Sequence, residues 1–337
     1  LNLNGVSLGT LGVDSDNYKS NLDLTTPEPV TLHKQLSEIA SKGCDRLVLE
    51  ASSHGLDQSR LDGIQFNAAA FTNLSHDHLD YHKSYKDYLD SKLHLFRKLL
   101  TKNSNIITDL DIREYKKIKS IALRKKLKLY TISNKYGDLS IISHKYDGEK
   151  QLVKIKYKKK IYNFELNLIG KVQLKNVLMS MIASHISNID FKNIINFANK
   201  IKPVYGRLEK VGSIKNNSSV ILDYAHTPDA LISCLQNIKD QFKNKKISIV
   251  FGCGGDRDKL KRPSMGKIAN EYCDKIYLTD DNPRNENPAK IRASIKKKIS
   301  KSKLYDISNR GKAIDQAIQN LLSGEILVVA GKGHETI

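Results

Sequence analysis

Apolar runs of strand length alternate with stretches of helical period along almost the whole of the 337-residue chain. A helix that crosses between parallel strands covers one face of their sheet, so this alternation predicts an α/β fold around mostly parallel sheet. In the first half, "TLHKQLSEIASKG" (31–43) predicts a helix stopped by Gly43, and "RLVLEAS" (46–52) a buried strand. "FNAAAFTNLS" (66–75) predicts a second strand and "SYKDYLDSKLHLFRKLL" (84–100) a long amphipathic helix. Between about 139 and 168 polar and apolar residues alternate around a "DGEK" turn, which predicts a small antiparallel meander inserted in the first domain. A helix over 173–186 and another reaching Lys200 follow.

"KPVYGR" (202–207) is the expected hinge, giving domains over 1–203 and 204–337. Beyond it the alternation restarts with "SSVILDYA", a helix from Pro228, "KISIVFGCGG", a helix from Pro263, "DKIYLTDDN", two helices and "GEILVVAGKGHE". Four of these strands run into polar or glycine-rich loops: Asp223 to His226, Gly252 to Arg257, Asp280 to Arg284 and Gly331 to Glu335. Open α/β sheets bind ligands at the carboxyl ends of their strands, so the four loops are candidates for one site. Their glycines allow backbone to come close and expose N–H groups suited to an anion. The loop "TDDNPRNENP" (279–288) is shaped by Pro283 and Pro288. With Asp281 beside Arg284 it suits a ligand carrying both an amino and a carboxylate group, and equally a turn that caps the next helix.

In the first half, "EASSHGLDQSR" (50–60) and "NLSHDHLDYH" (73–82) each follow a strand, and four of the ten histidines fall between 76 and 94. Glu50 and His78 can share a divalent metal, magnesium if oxygens and water dominate, or the stretch is a helix start capped by Ser75 and Asp77. There is no HExxH and no zinc spacing. The phosphate loop GxxxxGK[ST] is absent: Gly-Lys at 170, 266, 311 and 331 has neither the upstream glycine nor a following Ser or Thr.

Charge and cysteines narrow the classes. Lys plus Arg number 56 against 36 Asp plus Glu, a net +20 that invites an acidic partner. The excess is lysine spread through "LRKKLKLY", "KIKYKKKIY" and "IKKKISKSK" without interleaved aromatics, so no nucleic-acid partner is expected. Cysteines 44, 234, 253 and 273 show no paired spacing, which predicts reduced thiols and a cytoplasmic protein. No apolar run reaches the roughly 18 residues of a membrane span, so no membrane insertion is expected. The chain starts at Leu and ends just after "GKGHET", and both ends are expected to be cut from a longer protein.

Taken in order, "GTLG", "TTPE", "EASSHGLDQSR", "TNLSHDHLDYH", "YGRLE", "DYAHTPDAL", "FGCGGDRDKLKRP", "TDDNPR" and "AGKGHE" closely resemble the Mur ligases. Within them the likeness is to the members that add the third amino acid to UDP-N-acetylmuramoyl-L-alanyl-D-glutamate. The resemblance implies a central ATPase domain followed by a Rossmann-like domain. It also implies that a UDP-binding domain and the phosphate loop precede residue 1, so this fragment alone is expected to be inactive. It implies ATP and Mg²⁺ as cofactors, with Glu50, His78 and a carbamylated Lys92 as catalytic metal ligands. Thr25, Thr26, Ser52, Gln58 and Arg60 match contacts to the UDP-muramoyl dipeptide, while Leu24 stands where many members have Asn. Asn176, Arg207, Asp223 and His226 match positions around ATP. Arg257, Asp281, Asn282, Pro283, Arg284, Gly331 and Glu335 match the site for meso-diaminopimelate. Its distal carboxylate suits the Arg284 guanidinium and its distal ammonium suits Glu335, whereas L-lysine would leave Arg284 facing nothing. The expected enzyme is a monomer that makes an amide through an acyl phosphate. The alternatives are the L-lysine-adding relatives, a folylpolyglutamate synthetase, a basic nucleic-acid binder and a decayed homologue.

Overall fold

A computed structural model describes residues 4–15, 18–75, 77–78, 81–214 and 217–333. The chain forms two compact units, Leu1–Leu74 with Tyr81–Thr131, and Ser75–Asp80 with Ile132–Ile337.

In the first unit, β1 (Gly5–Gly9), β2 (Gly12–Asp14), β3 (Lys19–Ser20) and β4 (Arg46–Leu49) make a sheet in the order β3-β2-β1-β4. Before β4, helix α1 (Pro29–Ser41) opens on its proline and ends at Lys42, where Gly43 takes φ +76°, as the glycine stop predicts. The strand in "RLVLEAS" is not buried as expected. β4 lies at the edge of its sheet and leaves Val48 74% exposed, because an apolar strand sequence says nothing about which side receives a neighbour. Helix α2 (Ser53–Asp57) is capped by Ser52 Oγ, which accepts the Gly55 N–H at 3.1 Å. β5 (Phe66–Phe71) follows. The expected long helix is interrupted. α3 (Tyr85–His94), capped by Ser84, passes into a π-helical turn at Leu95–Leu99 and then directly into β6 (Leu100–Asp109), parallel to β5. The wide turn buries Leu95, Phe96, Leu99 and Leu100 together. α4 (Tyr115–Lys125) packs Ile118 and Ile121 into the same core as Leu32, Leu61 and Leu93.

β7 (Lys128–Ser133) contains the division between the units. The antiparallel meander forms as expected, with β8 (Leu139–Asp147), β9 (Lys150–Tyr157) and β10 (Lys160–Leu166) paired and β9 alternating exposed and buried without a break. It falls in the second compact unit and not in the first as expected, because its contacts run to the chain that follows it, as where Gln241 Nε2 donates to the Gly148 carbonyl of its turn at 3.2 Å. α5 (Lys171–Ile186) and α6 (Phe191–Asn196) follow. Two buried glutamines join these parts. Gln151 Nε2 donates to the carbonyls of Leu168 at 2.6 Å and Gly170 at 3.1 Å, and Gln241 Oε1 accepts the Gly170 N–H at 2.8 Å.

The remainder is a Rossmann-like sheet. Antiparallel β11 (Glu209–Ile214) edges β12 (Ser218–Asp223), and α7 (Pro228–Gln241) leads to β13 (Ile247–Phe251). α8 (Lys261–Tyr272), β14 (Lys275–Leu278), α9 (Pro288–Lys296), β15 (Leu304–Asp306), α10 (Arg310–Gln319) and β16 (Ile326–Ala330) complete it. The order is β11-β12-β16-β13-β14-β15, with β12 to β15 all parallel. Ile249, Leu278 and Val328 point to α7, α8 and α9 on one face, while Val250, Tyr277 and Leu327 point to α10 on the other. Strands covered on both faces read as near-continuous apolar runs: β16 is apolar throughout, and β13, equally buried, is broken only by Ser248.

Gln151→Leu should remove donors from two buried carbonyls and cost about 2 kcal/mol, read as a lowered urea midpoint. An unchanged midpoint would show that those carbonyls do not depend on it.

Candidate active site

In the first unit Glu50 stands exposed at the end of β4. Its Oε2 accepts both the Thr10 N–H and the Thr10 hydroxyl, each at 2.9 Å, and a Cβ on Gly9 would lie 2.9 Å from the Glu50 Cβ, which disfavours a side chain there. Thr10 Oγ1 is also 3.0 Å from Thr25 Oγ1. Thr26 is fully buried: its hydroxyl donates to the Glu50 carbonyl at 2.8 Å and accepts the Ser52 N–H at 3.0 Å. Arg60, 8% exposed, donates to the Thr26 carbonyl at 2.9 Å, bonds Gln58 Oε1 and pairs with Glu28 at 3.0 Å. Thr25, Thr26, Ser52, Gln58 and Arg60 are therefore one connected network, in which Thr26 and Arg60 brace backbone. Thr10 was not singled out by sequence reasoning, although "GTLG" contains it.

Lys92 lies half-buried on α3 with its Nζ 5.1 Å from the centre of the Tyr88 ring. His78, in the other unit, takes φ +55° and donates its N–H to Asp77 Oδ1 at 2.8 Å; among the described residues no helix starts at Ser75 or Asp77, the next one being capped by Ser84, so the expected alternative of a capped helix start does not hold. Among the described residues no group of three His, Cys, Asp or Glu side chains is gathered to hold a metal.

In the second unit the parallel sheet brings the ends of β12, β16, β13 and β14 side by side along one edge. At the first, both Asp223 oxygens accept backbone N–H groups, Leu208 at 2.8 Å and Ala225 at 2.9 Å. Burial pushes the Asp223 carboxyl up, and those two N–H groups with Arg207 pull it back. The Arg207 guanidinium covers the Tyr224 ring at 4.6 Å, and His226 Nδ1 lies 3.0 Å from the Tyr224 carbonyl. Gly206 is required here: at φ +68° a Cβ would meet Gly333 Cα at 2.4 Å. Asn176 is exposed on α5.

Between β13 and β14 the two loops interlock. Gly255 donates its N–H to the Asn282 carbonyl at 2.9 Å, and a Cβ on Gly255 would sit 1.9 Å from the Pro283 carbonyl oxygen. Arg284 takes φ +48° and its Nη1 donates to the Gly255 carbonyl at 2.7 Å. Asp281 Oδ1 accepts the Asn282 N–H at 2.7 Å, and Gly331 lies against the Asp281 carboxylate. Arg257 is exposed. Glu335 lies outside the described residues. Cys253, buried in the same loop, is pushed up to about 12 by burial, so its thiol stays protonated at neutral pH and is no nucleophile.

The family model for the Mur ligase middle domain matches residues 1–184, and that for the Mur ligase glutamate ligase domain matches residues 206–333. The chain belongs to the Mur ligase family. It is 41% identical over 334 residues to the UDP-N-acetylmuramoyl-L-alanyl-D-glutamate–2,6-diaminopimelate ligase of Rickettsia montanensis, covering 98% of this chain and 69% of that one. The ligase of the same name from a Chelativorans species is 39% identical over 333 residues, covering 99% of this chain and 68% of it. A solved structure of a ligase of that name superimposes with a TM-score of 0.70 at 32% identity, over 98% of this chain and 68% of the other. A folylpolyglutamate synthase from Mycobacterium tuberculosis reaches a TM-score of 0.71 at only 16% identity, covering 88% of this chain and 68% of that one, and so shares the fold.

One residue of this Mur ligase escaped sequence reasoning although it lies in the quoted loop. Glu286 accepts Arg262 Nη2 at 2.8 Å and Nη1 at 3.0 Å, and the Asp256 N–H at 2.7 Å. The Arg262 hydrogen bonds, with the Asp256 N–H, hold its carboxyl down at about 2, against 4.5 for a free one. A carboxyl lowered on folding stabilises the fold fully above the unfolded value and loses that contribution as pH falls through the folded value. Glu286→Gln should therefore lower Tm at pH 7, and the gap to the wild type should close between about pH 4.5 and 2 in thermal melts. A gap independent of pH would contradict the charge pairing.

Proposed function

We propose that this Mur ligase joins meso-diaminopimelate to UDP-N-acetylmuramoyl-L-alanyl-D-glutamate, using ATP and Mg²⁺. The observation that carries the choice of amino acid is Arg284. Its left-handed backbone and the bond from Nη1 to Gly255 fix a planar fork of donors at the β13–β14 edge, suited to the distal carboxylate that L-lysine lacks. The names of the relatives point the same way. Asp281, Asn282, Pro283, Gly331 and Arg257 shape or border that subsite, and Glu335 would take the distal ammonium.

The γ-phosphoryl group of ATP passes to the D-Glu carboxylate, giving an acyl phosphate and ADP. The amine of diaminopimelate then attacks the acyl carbon, loses a proton, and phosphate leaves with the broken C–O bond. Asn176, Arg207, Asp223 and His226 are assigned to the nucleotide. With both Asp223 oxygens holding backbone N–H groups, that residue serves to fix the 206–208 segment, not to move protons. Thr25, Ser52 and Gln58 are assigned to the muramoyl dipeptide, with Thr26 and Arg60 bracing them. Glu50, His78 and Lys92 are each assigned to magnesium, and Lys92 suits it only as a carbamate, since its ammonium has the wrong sign. A magnesium ion held so would neutralise phosphate charge.

We assign domain limits of 1–203 and 204–337 to the two activities, and a cytoplasmic, monomeric enzyme without nucleic acid. No helix among the described residues is long and apolar enough to cross a membrane.

In the complete ligase, phosphate release with the UDP-muramoyl dipeptide, ATP and Mg²⁺ should be fast with meso-diaminopimelate and far slower with L-lysine; equal rates would refute the choice. Arg284→Ala should raise KM for meso-diaminopimelate roughly ten- to hundredfold and leave KM for ATP unchanged. A comparable rise in KM for ATP would show that Arg284 belongs to the nucleotide subsite.

A further inference from the structure

The turn that presents Arg284 is held from outside itself. Glu286 closes it by donating its N–H to the Pro283 carbonyl at 3.0 Å, and sends its carboxylate across to Arg262 in the first turn of α8. A cation there opposes the helix dipole, and the helix brings neither an acidic residue in its first turn nor a side-chain cap. Arg262 is nevertheless buried, its side chain 5% exposed against 17% for Glu286, so the pair is shielded from water on one side. The same two side chains reach the partner loop: Arg262 Nη2 lies 3.3 Å from the Gly254 carbonyl, and Glu286 Oε1 takes the Asp256 N–H. Residues 254 and 256 flank Gly255, the residue whose carbonyl receives the Arg284 guanidinium. The ion pair thus grips both sides of the one backbone group that aims Arg284.

Resting on the assignment of Arg284 to the amino-acid substrate, we propose that Arg262 and Glu286 are positioning residues for that subsite, acting on substrate selection through the Gly255–Arg284 contact. They touch no reacting atom. A bidentate pair fixes distance and angle together, which a single flexible contact at this loop would not do. Lys259, with its Nζ 3.5 Å from Glu286 Oε2, is largely exposed and adds charge without that geometry.

The test is a double-mutant cycle in the complete ligase, using whichever amino acid the wild type accepts. Failure of the diaminopimelate assignment then shows as a changed wild-type preference, and failure of the present proposal shows in the cycle. Glu286→Gln, which keeps an acceptor for the Asp256 N–H, should raise KM for the amino acid roughly tenfold, with kcat and the KM for ATP and for the UDP-substrate within about twofold. In the Arg284→Ala background the same substitution should change KM for the amino acid little, because its route of action is already gone. Arg262→Lys, which keeps the charge and loses the fork, should behave as Glu286→Gln does, with thermal melts showing both variants folded. The proposal is overturned if the two KM effects multiply as independent factors. It is equally overturned if the KM values for all three substrates rise together, as a loosened fold would make them.

Discussion

Backbone meets backbone at the carboxyl edge of the parallel sheet, and the second unit depends on there being no side chain in the way. Gly206 against Gly333, Gly252 against the Thr279 carbonyl and Gly255 against the Pro283 carbonyl each leave less room than a Cβ requires. These contacts let loops from β12, β16, β13 and β14 close on one another, so that N–H groups and a guanidinium are fixed by main chain, not by long side chains. Such an edge presents donors that are already oriented, which reduces the reorganisation needed when charge develops nearby.

Charge operates on two scales. The net +20 is spread over exposed lysines and answers to no single site. A few pairs are set apart by a buried or largely buried arginine: Arg262 with Glu286, Arg60 with Glu28, and Arg292 with Asp280 and Asp306. Each joins a loop to a neighbouring element. Arginine holds the cationic end in all of them, consistent with the need for a planar fork.

Much of the architecture was legible before the structure. The meander of β8 to β10, the stop of α1 at Gly43 and the strands β12, β13, β14 and β16 follow from periodicity and punctuation. The short and peripheral elements did not. β1 to β3, β11 and β15 are short or half-exposed and carry little apolar signal, and "RLVLEAS" reads as buried although Val48 faces solvent. The π-helical turn at Leu95–Leu99 interrupts an uninterrupted helical pattern, since burial of consecutive apolar residues outweighs local propensity there.

For the sites, motif order named the residues and the sheet explained their company. A sequence determines residue type and spacing, so the four strand-end loops with Asp281 and Arg284 could be read directly, whereas the residues around Thr26 came only from the resemblance in motif order. It does not determine which side chain reaches which across a separation of 24 positions, and so Glu286, within its loop, gave no sign of its bond to Arg262. Nor could it show that Asp223 spends both oxygens on backbone N–H groups. Pattern along the chain encodes what is local in period and chemistry, whereas pairing between loops is decided only when strands far apart in sequence align in one sheet.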